Sequence, residues 1–225
     1  MRSAMRGLIR GVGFGVVPAA LLLTAVTGCS GEPGKDKRAG SAASPAKKAD
    51  SAGSADAGAG AVAKKGGSVG GAGSPCALPV TFDLAAGWQP EAVDTDGEFG
   101  ALTQGPVTLT CEIDAKPAGN IGFLRVWTGS EKSADVRADL KAFVAEEAAH
   151  RDQETYTDLT VDGLDAAEIV YVNTSDALDA PKKERALALA TPKGVVVLHL
   201  GGLDSAEHDA MLPAYELAKR TLQDA

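Results

Sequence analysis

The chain of 225 residues contains three cysteines, and their surroundings predict two different chemistries. Cys29 follows Thr27 and Gly28 directly after an apolar stretch. A thiol in such a place is a nucleophile that can accept a lipid group, and the two small residues give a peptidase access to the bond before it. Cys76 and Cys111 lie farther along the chain and form an even pair. The sequence therefore predicts one modified cysteine and one cysteine pair.

Residues 26–29, Val-Thr-Gly-Cys, resemble the lipobox of bacterial lipoproteins. Before them lie three arginines, no acidic residue, and an apolar stretch that contains a proline and is short for a membrane-spanning helix. The resemblance implies that residues 1–28 are a signal peptide and that Cys29 carries a diacylglyceryl anchor, whose two acyl chains hold a protein stably at a membrane. An uncleaved membrane anchor is the alternative.

Cys76 and Cys111 are expected to form a disulfide, because an exported protein meets an oxidising compartment. A redox or metal-binding pair is the alternative, although neither a C-x-x-C spacing nor an adjacent histidine supports it. Cys76 lies at the start of the expected domain and Cys111 in an expected strand, so the bridge would tie the domain entrance to its sheet. Chain entropy values such a loop at about 4 kcal/mol of stability.

A candidate cation site is formed by Asp94, Asp96 and Glu98, which alternate around Gly97. Their carboxylates could gather around a hard cation such as Ca²⁺. The pattern lacks the spacing of an EF-hand, and a solvated acidic turn is the favoured interpretation. No other metal-ligand spacing, P-loop, dinucleotide fingerprint or catalytic motif occurs, so we expect no cofactor, no metal and no enzymatic activity.

Large and ionisable side chains offer weaker leads. Trp88 and Trp127 could anchor a partner or a sugar ring, although both lie where a core needs a large residue, and core packing is favoured. His199 lies in an apolar strand pattern and shares a face with Val195 and Val197. A histidine at the edge of the core is the favoured interpretation there, and a ligand or base is the alternative.

The formal net charge of −8 is distributed unevenly. Residues 1–28 and 30–75 each carry +3, whereas residues 76–225 carry −14 from 12 basic and 26 acidic side chains. An acidic domain argues against nucleic-acid binding. Between residues 30 and 75, 33 of 46 residues are Ala, Gly, Ser or Pro, a composition that cannot form a core. We therefore predict a signal peptide (1–28), a lipidated cysteine with a disordered tether (29–75), and one globular domain (76–225).

The domain is predicted to be α+β. Strands are predicted at residues 80–84, 99–102, 107–114, 121–128, 156–161, 166–172, 185–191 and 195–200. One helix is predicted from a cap at Ser133 to about residue 149, and a second from Asp204, where Glu207 completes a capping-box pattern. Pro213 predicts a kink in the second helix or a later start. Short turns between the strands predict an antiparallel sheet sandwiched by helices.

The order of segments in the domain is distinctive. It begins with VTFDLAAGWQPE, continues with VDGLDAAEIVYV after the first predicted helix, and ends with an apolar hairpin and a final helix. It is similar to the PsbP-like α/β/α sandwich of many actinobacterial secreted lipoproteins, over residues 78–223. The resemblance implies a non-catalytic accessory or partner-binding module and brings no catalytic residues with it.

The expected protein is thus a monomeric lipoprotein on the outer face of the cell membrane, anchored through Cys29, with an unknown envelope protein as its partner. A domain that binds a small molecule or cation is the alternative. An enzyme with an unfamiliar site is the third hypothesis.

Overall fold

The computed structural model describes residues 60–97 and 100–225. The predicted signal peptide, the lipidation of Cys29 and the part of the tether before residue 60 lie outside the described residues, as does Glu98. Within the described ranges, no helix has the length and apolar character needed to cross a membrane.

The described residues form eleven strands, two α-helices and one short 3₁₀ turn at Lys116–Ala118. The strands are β1 (Lys65–Val69), β2 (Val80–Ala85), β3 (Gln89–Ala92), β4 (Thr103–Gln104), β5 (Val107–Asp114), β6 (Gly122–Thr128), β7 (Arg151–Val161), β8 (Leu164–Asn173), β9 (Lys182–Thr191), β10 (Gly194–Gly202) and β11 (Gln223–Asp224). The helices are α1 (Val136–Glu147) and α2 (Ser205–Thr221).

Eight of the strands form one antiparallel sheet in the order β3-β5-β6-β10-β9-β8-β7, with β4 paired to β5. A smaller sheet has the order β1-β2-β11. The turn between β7 and β8 has two residues with positive φ, Asp162 and Gly163, as a type I′ hairpin requires. The predicted α+β class and antiparallel sheet are confirmed.

Both faces of the large sheet are covered. On one face, α1 packs through Leu140, Phe143 and Val144. On the other face lie α2 and the small sheet, whose core side chains include Phe82 and Tyr215. Because β10 lies between these two layers, nearly all of its residues are buried, which explains its continuous apolar run.

The predicted boundary between tether and domain is wrong. Residues 65–69, assigned to the tether, form β1 and pair with β2 through residues 82–85. Ahead of β1, the backbone N–H of Ala63 donates to the carbonyl of Pro213. A glycine-rich and serine-rich segment has few side chains to bury, but its backbone can still complete a sheet edge, so composition alone misplaced the start of the fold.

Three local features differ from the sequence predictions. The cap of α1 is Asp135, whose carboxylate accepts from the N–H of Ala138, whereas the hydroxyl of Ser133 donates to Asp139. The short strand predicted at 99–102 lies instead at Thr103–Gln104. Pro213 lies inside α2, which already begins at Ser205, so the predicted later start is wrong.

Candidate functional site

The predicted disulfide is present. Cys76 and Cys111 are bonded, with their Cα atoms 5.9 Å apart, and both are buried. Cys76 precedes β2 and Cys111 lies in β5, so the bridge ties the beginning of the domain to the large sheet. This is the structural role expected for the pair.

Trp88 and Trp127 are both buried, so their proposed use as exposed anchors for a partner is wrong. Trp88 belongs to the core that includes α2, and Trp127 to the core beneath α1. The ring of Trp127 packs edge-to-face against Phe143 with centroids 5.3 Å apart. Core packing, the favoured interpretation, is confirmed.

The described part of the acidic turn has the geometry of a solvated Asx turn. Asp94 and Asp96 are exposed, and Oδ1 of Asp94 accepts a hydrogen bond from the backbone N–H of Asp96 at 2.9 Å. Glu98, the third predicted ligand, lies outside the described residues. The described geometry brings no additional ligand to this turn, and its cation site stays a prediction.

Ionisable side chains converge elsewhere, at the end of α1. Glu147 is the last residue of that helix, Glu184 lies in β9 and His199 in β10. One possible ligand atom from each of the three lies within 4.8 Å of the others. The strand register explains the meeting: Glu184 is paired with Tyr171 of β8, and its side chain points to the same sheet face as that of His199.

Glu184 is the most enclosed of these groups, with 1% of its side chain exposed. Its Oε2 accepts from the hydroxyl of Tyr171 at 2.7 Å, and its Oε1 lies 2.8 Å from Nζ of Lys182. Burial acts to raise the pKa of this carboxyl, but hydrogen bonding and charge from His199, with hydrogen bonds from Lys182 and Tyr171, outweigh it and lower the pKa to about 2. Glu184 is therefore an anion at every physiological pH.

His199 is 1% exposed and only partly satisfied. Its Nε2 lies 3.5 Å from Oε2 of Glu184 and 3.4 Å from the hydroxyl of Tyr171. Its Nδ1 has no hydrogen-bond partner among the described residues, and Oε1 of Glu147 lies 3.8 Å away. The ring is held edge-on against Phe143 with centroids 5.7 Å apart. A rigid imidazole thus presents one unmatched nitrogen towards a carboxylate.

These groups lie in a pocket of about 300 Å³ on the α1 face of the large sheet. Helix α1 ends at Glu147, whose side chain lines this pocket. Ile121 and Leu203 stand at the mouth with 53% and 62% of their surface exposed. The lining residues are Ile121, Gly122, Phe123, Arg125, Glu147, Leu178, Lys182, Glu184, His199, Gly201, Gly202 and Leu203.

The burial of His199 at the edge of the core was predicted, but its two carboxylate neighbours were not. Glu147, Glu184 and His199 are distant in sequence, and the predicted strand began at Arg185, one residue too late to include Glu184. A signal was available: when β9 and β10 are paired as a hairpin, β10 contributes His199, and β9 contributes Lys182 and Glu184, to an otherwise apolar face.

The chain belongs to a family described as uncharacterised lipoprotein, whose model matches residues 45–222. The match confirms a lipoprotein, and the class carries with it a lipid anchor at a membrane. No curated protein matches the chain.

Among solved structures, the chain is similar to the solution structure of cyanobacterial PsbP (CyanoP) from Synechocystis sp. PCC 6803. The two are 15% identical, the match covers 71% of this chain and 98% of that one, and the TM-score is 0.46. The fold of this chain is defined by its sheet order and by the placement of its two helices.

Proposed function

We propose that this lipoprotein is a non-catalytic binding module held at the outer face of the cell membrane by a diacylglyceryl group on Cys29, and that it binds a small cation in the pocket at the end of α1. The lipobox-like sequence and the buried disulfide support an extracytoplasmic location, because disulfides persist in oxidising compartments.

The proposal of a cationic ligand rests on one carboxylate, that of Glu147, which has no lysine or arginine partner among the described residues. Lys182 contacts Glu184 at 2.8 Å, and Arg125 contacts Glu112 at 2.7 Å. Among the described residues, no lysine or arginine forms an ion pair with Glu147, whose side chain is 17% exposed. Glu147 also ends α1, where the helix dipole favours positive charge. With His199 neutral, the pocket therefore has one negative charge in excess.

Two features support binding rather than catalysis. The residues lining the pocket include no serine, threonine or cysteine that could act as a nucleophile in covalent catalysis. An amine can also act as a nucleophile, but Nζ of Lys182 is held by Glu184 and by the carbonyl of Gly202 at 3.1 Å. The polar groups of the pocket are thus arranged to hold charge in place.

The test uses thermal unfolding of the full lipidated chain in detergent micelles, with Zn²⁺, spermidine and choline as cationic probes. At least one probe should raise the melting temperature, because a ligand that binds only the folded state stabilises it. The matched variant is Gly201→Ala, whose added Cβ would stand 3.5 Å from Cε1 of His199, without a clash. Because Gly201 lines the pocket, the added methyl group should reduce the rise in melting temperature that the probe causes.

The control is Gly67→Ala in β1, where an added Cβ meets nothing within 4 Å. This variant should show the full shift. The proposal fails if none of the three probes changes the melting temperature, or if both glycine variants respond exactly as the original chain does.

Docking of an envelope protein is a second candidate, favoured by the exposed mouth residues. Ile121 and Leu203 are adjacent, since the N–H of Leu203 donates to the carbonyl of Ile121 at 2.9 Å. Two large exposed apolar side chains beside a charged pocket suit a protein partner. In that case, Leu203→Ser should abolish partner binding while cation binding persists.

A further inference from the structure

We propose that Glu147, Glu184 and His199 bind one divalent transition-metal ion, with zinc as the reference ion. The inference rests on the proposed function, because it names the class of cation that the pocket takes. The set of one imidazole and two carboxylates offers three ligand atoms within 4.8 Å of one another, at a place open to water on one side. Such a set leaves coordination positions free for water or for a group on a partner.

The spacing fits a metal better than it fits direct hydrogen bonds. Nδ1 of His199 lies 3.8 Å from Oε1 of Glu147, and Nε2 lies 3.5 Å from Oε2 of Glu184. Charge-assisted hydrogen bonds between such atoms are shorter, at about 2.7–2.9 Å. Two ligands of a tetrahedral zinc ion stand about 3.4 Å apart, given bonds of about 2.1 Å. A displacement of a few tenths of an ångström would bring Nδ1 of His199 and Oε1 of Glu147 to the separation of two ligands on one zinc ion.

The unmatched nitrogen of His199 is the second observation that points to a ligand. A neutral imidazole has one N–H and one lone pair. A proton on Nε2 would be donated to the hydroxyl oxygen of Tyr171, and the lone pair would then lie on Nδ1. Nδ1 is buried and has no hydrogen-bond partner. A metal ion would satisfy this lone pair, which otherwise remains buried without a donor.

Neighbouring groups hold the carboxylates in place for a metal. Nε2 of Gln104 donates to Oε2 of Glu147 at 2.6 Å, which leaves Oε1 of that carboxylate directed towards His199. The hydroxyl of Tyr171 donates to Oε2 of Glu184 at 2.7 Å and holds that carboxylate in place. Outer contacts of this kind orient metal ligands and are part of the affinity of a site.

The ligand set also selects the class of ion. An imidazole nitrogen favours zinc, cobalt and similar ions, whereas Ca²⁺ and Mg²⁺ prefer sites made entirely of oxygen. Ca²⁺ should therefore compete poorly here. The ammonium of Lys182, 2.8 Å from Glu184, opposes a second cation, so its removal should tighten metal binding by about threefold to tenfold.

The experiment is equilibrium dialysis of the full lipidated chain, with its disulfide intact, against Zn²⁺ in detergent micelles, followed by metal analysis. One Zn²⁺ per chain should bind saturably, and a hundredfold excess of Ca²⁺ should leave it bound. Glu147→Gln changes a partly exposed side chain at a helix end and should weaken binding by about tenfold or more. Glu146→Gln, the matched control at the neighbouring exposed glutamate of α1, should bind as the original chain does.

Lys182→Met adds a readout that a purely structural cluster would not give, because it should bind Zn²⁺ more tightly than the original chain. The metal site is refuted if Zn²⁺ fails to bind saturably, or if Glu147→Gln binds it unchanged. If spermidine or choline stabilises the chain and Zn²⁺ does not bind, the metal is wrong and the cation-binding function stands. If none of them binds, both proposals fail.

Discussion

Two ionic clusters lie on opposite faces of the large sheet and are built from similar parts. On the α1 face, Glu147 and Glu184 surround His199, and Lys182 is the one lysine or arginine among the described residues that pairs with them. On the α2 face, the carboxylates of Glu168 and Glu216 each contact both Arg185 and Lys219, at 3.0–3.5 Å. In each cluster a buried tyrosine hydroxyl donates to a carboxylate, from Tyr171 on one face and from Tyr215 on the other.

The clusters differ in charge balance and in redundancy. The α2 cluster has two anions and two cations, and either cation can be lost while the other still contacts both carboxylates. With His199 neutral, the α1 cluster has two anions and one cation. Adjacent residues of β9, Glu184 and Arg185, contribute one side chain to each face. A balanced cluster that is covered by a helix stabilises the fold, whereas an unbalanced one beside an open pocket is suited to a ligand.

The largest expected effect comes from removing one cation from each face. Lys182→Met leaves Glu184 buried without a lysine or arginine partner, and we expect a loss of roughly 3–5 kcal/mol in the free energy of unfolding. Arg185→Met leaves Lys219 in contact with both carboxylates, so we expect a loss of about 1–2 kcal/mol. Urea unfolding of both variants at pH 7 without added metal measures the difference. Equal losses would show that redundancy does not distinguish the clusters.

The free energy of unfolding should fall in acid over a different pH range for each face of the sheet. On α2, burial first and the charge of Arg185 second lower the pKa of His208 from 6.5 to about 4. The unfolded chain therefore binds the proton more readily, so stability is complete above pH 6.5 and falls as the pH drops towards 4. For Glu184, with a pKa lowered from 4.5 to about 2, stability is complete above pH 4.5 and falls towards pH 2.

Each of these two acid-induced losses amounts to about 3 kcal/mol of the free energy of unfolding. His208→Gln should make the free energy of unfolding nearly independent of pH between 6.5 and 4. Glu184→Gln should do the same below pH 4.5. Unfolding measured across pH 2–7 distinguishes the two losses. If His208→Gln retains the slope between pH 4 and 6.5, the assignment of that loss to the α2 side is wrong.

The fold was predictable from the sequence to the extent that periodicity and turns determine it. The strand at 107–114 and the turn at Asp162 and Gly163 are where alternation and turn residues placed them. The cap of α2 at Asp204 was also predicted, but Glu207 does not complete the capping box, since its carboxylate accepts from the N–H of Ile121. Local patterns thus place elements well, and long-range contacts redirect individual side chains.

The candidate site was harder to predict because it depends on pairing between strands. Neither Glu147 nor Glu184 was selected, since a glutamate at a helix end or at a strand start is ordinarily a solvated residue. Only the register that places Tyr171 opposite Glu184 and His199 opposite Ala186 shows that both lie over the same core. For Trp88 and Trp127, residue type left partner binding open as an alternative, and the favoured interpretation, packing in the core, is what the fold has.

The smallest expected effect compares the two tyrosine hydroxyls. The hydroxyl of Tyr171 donates to Glu184 at 2.7 Å, and that of Tyr215 donates to Glu168 at 2.6 Å. Glu184 is 1% exposed and Glu168 is 13% exposed, so water can replace the lost donor more readily at Glu168. We expect Tyr171→Phe to cost about 2 kcal/mol and Tyr215→Phe about 1 kcal/mol.

Chemical unfolding of the two single variants gives this difference directly. Combining Tyr171→Phe with Lys182→Met should then cost more than the two single losses added together, because both groups support the same buried carboxylate. The corresponding pair of Tyr215→Phe with Arg185→Met should be nearly additive, since Lys219 still contacts Glu168. Additive losses on the α1 face would mean that Glu184 is stabilised by other groups, and the contrast between the two clusters would then rest on charge alone.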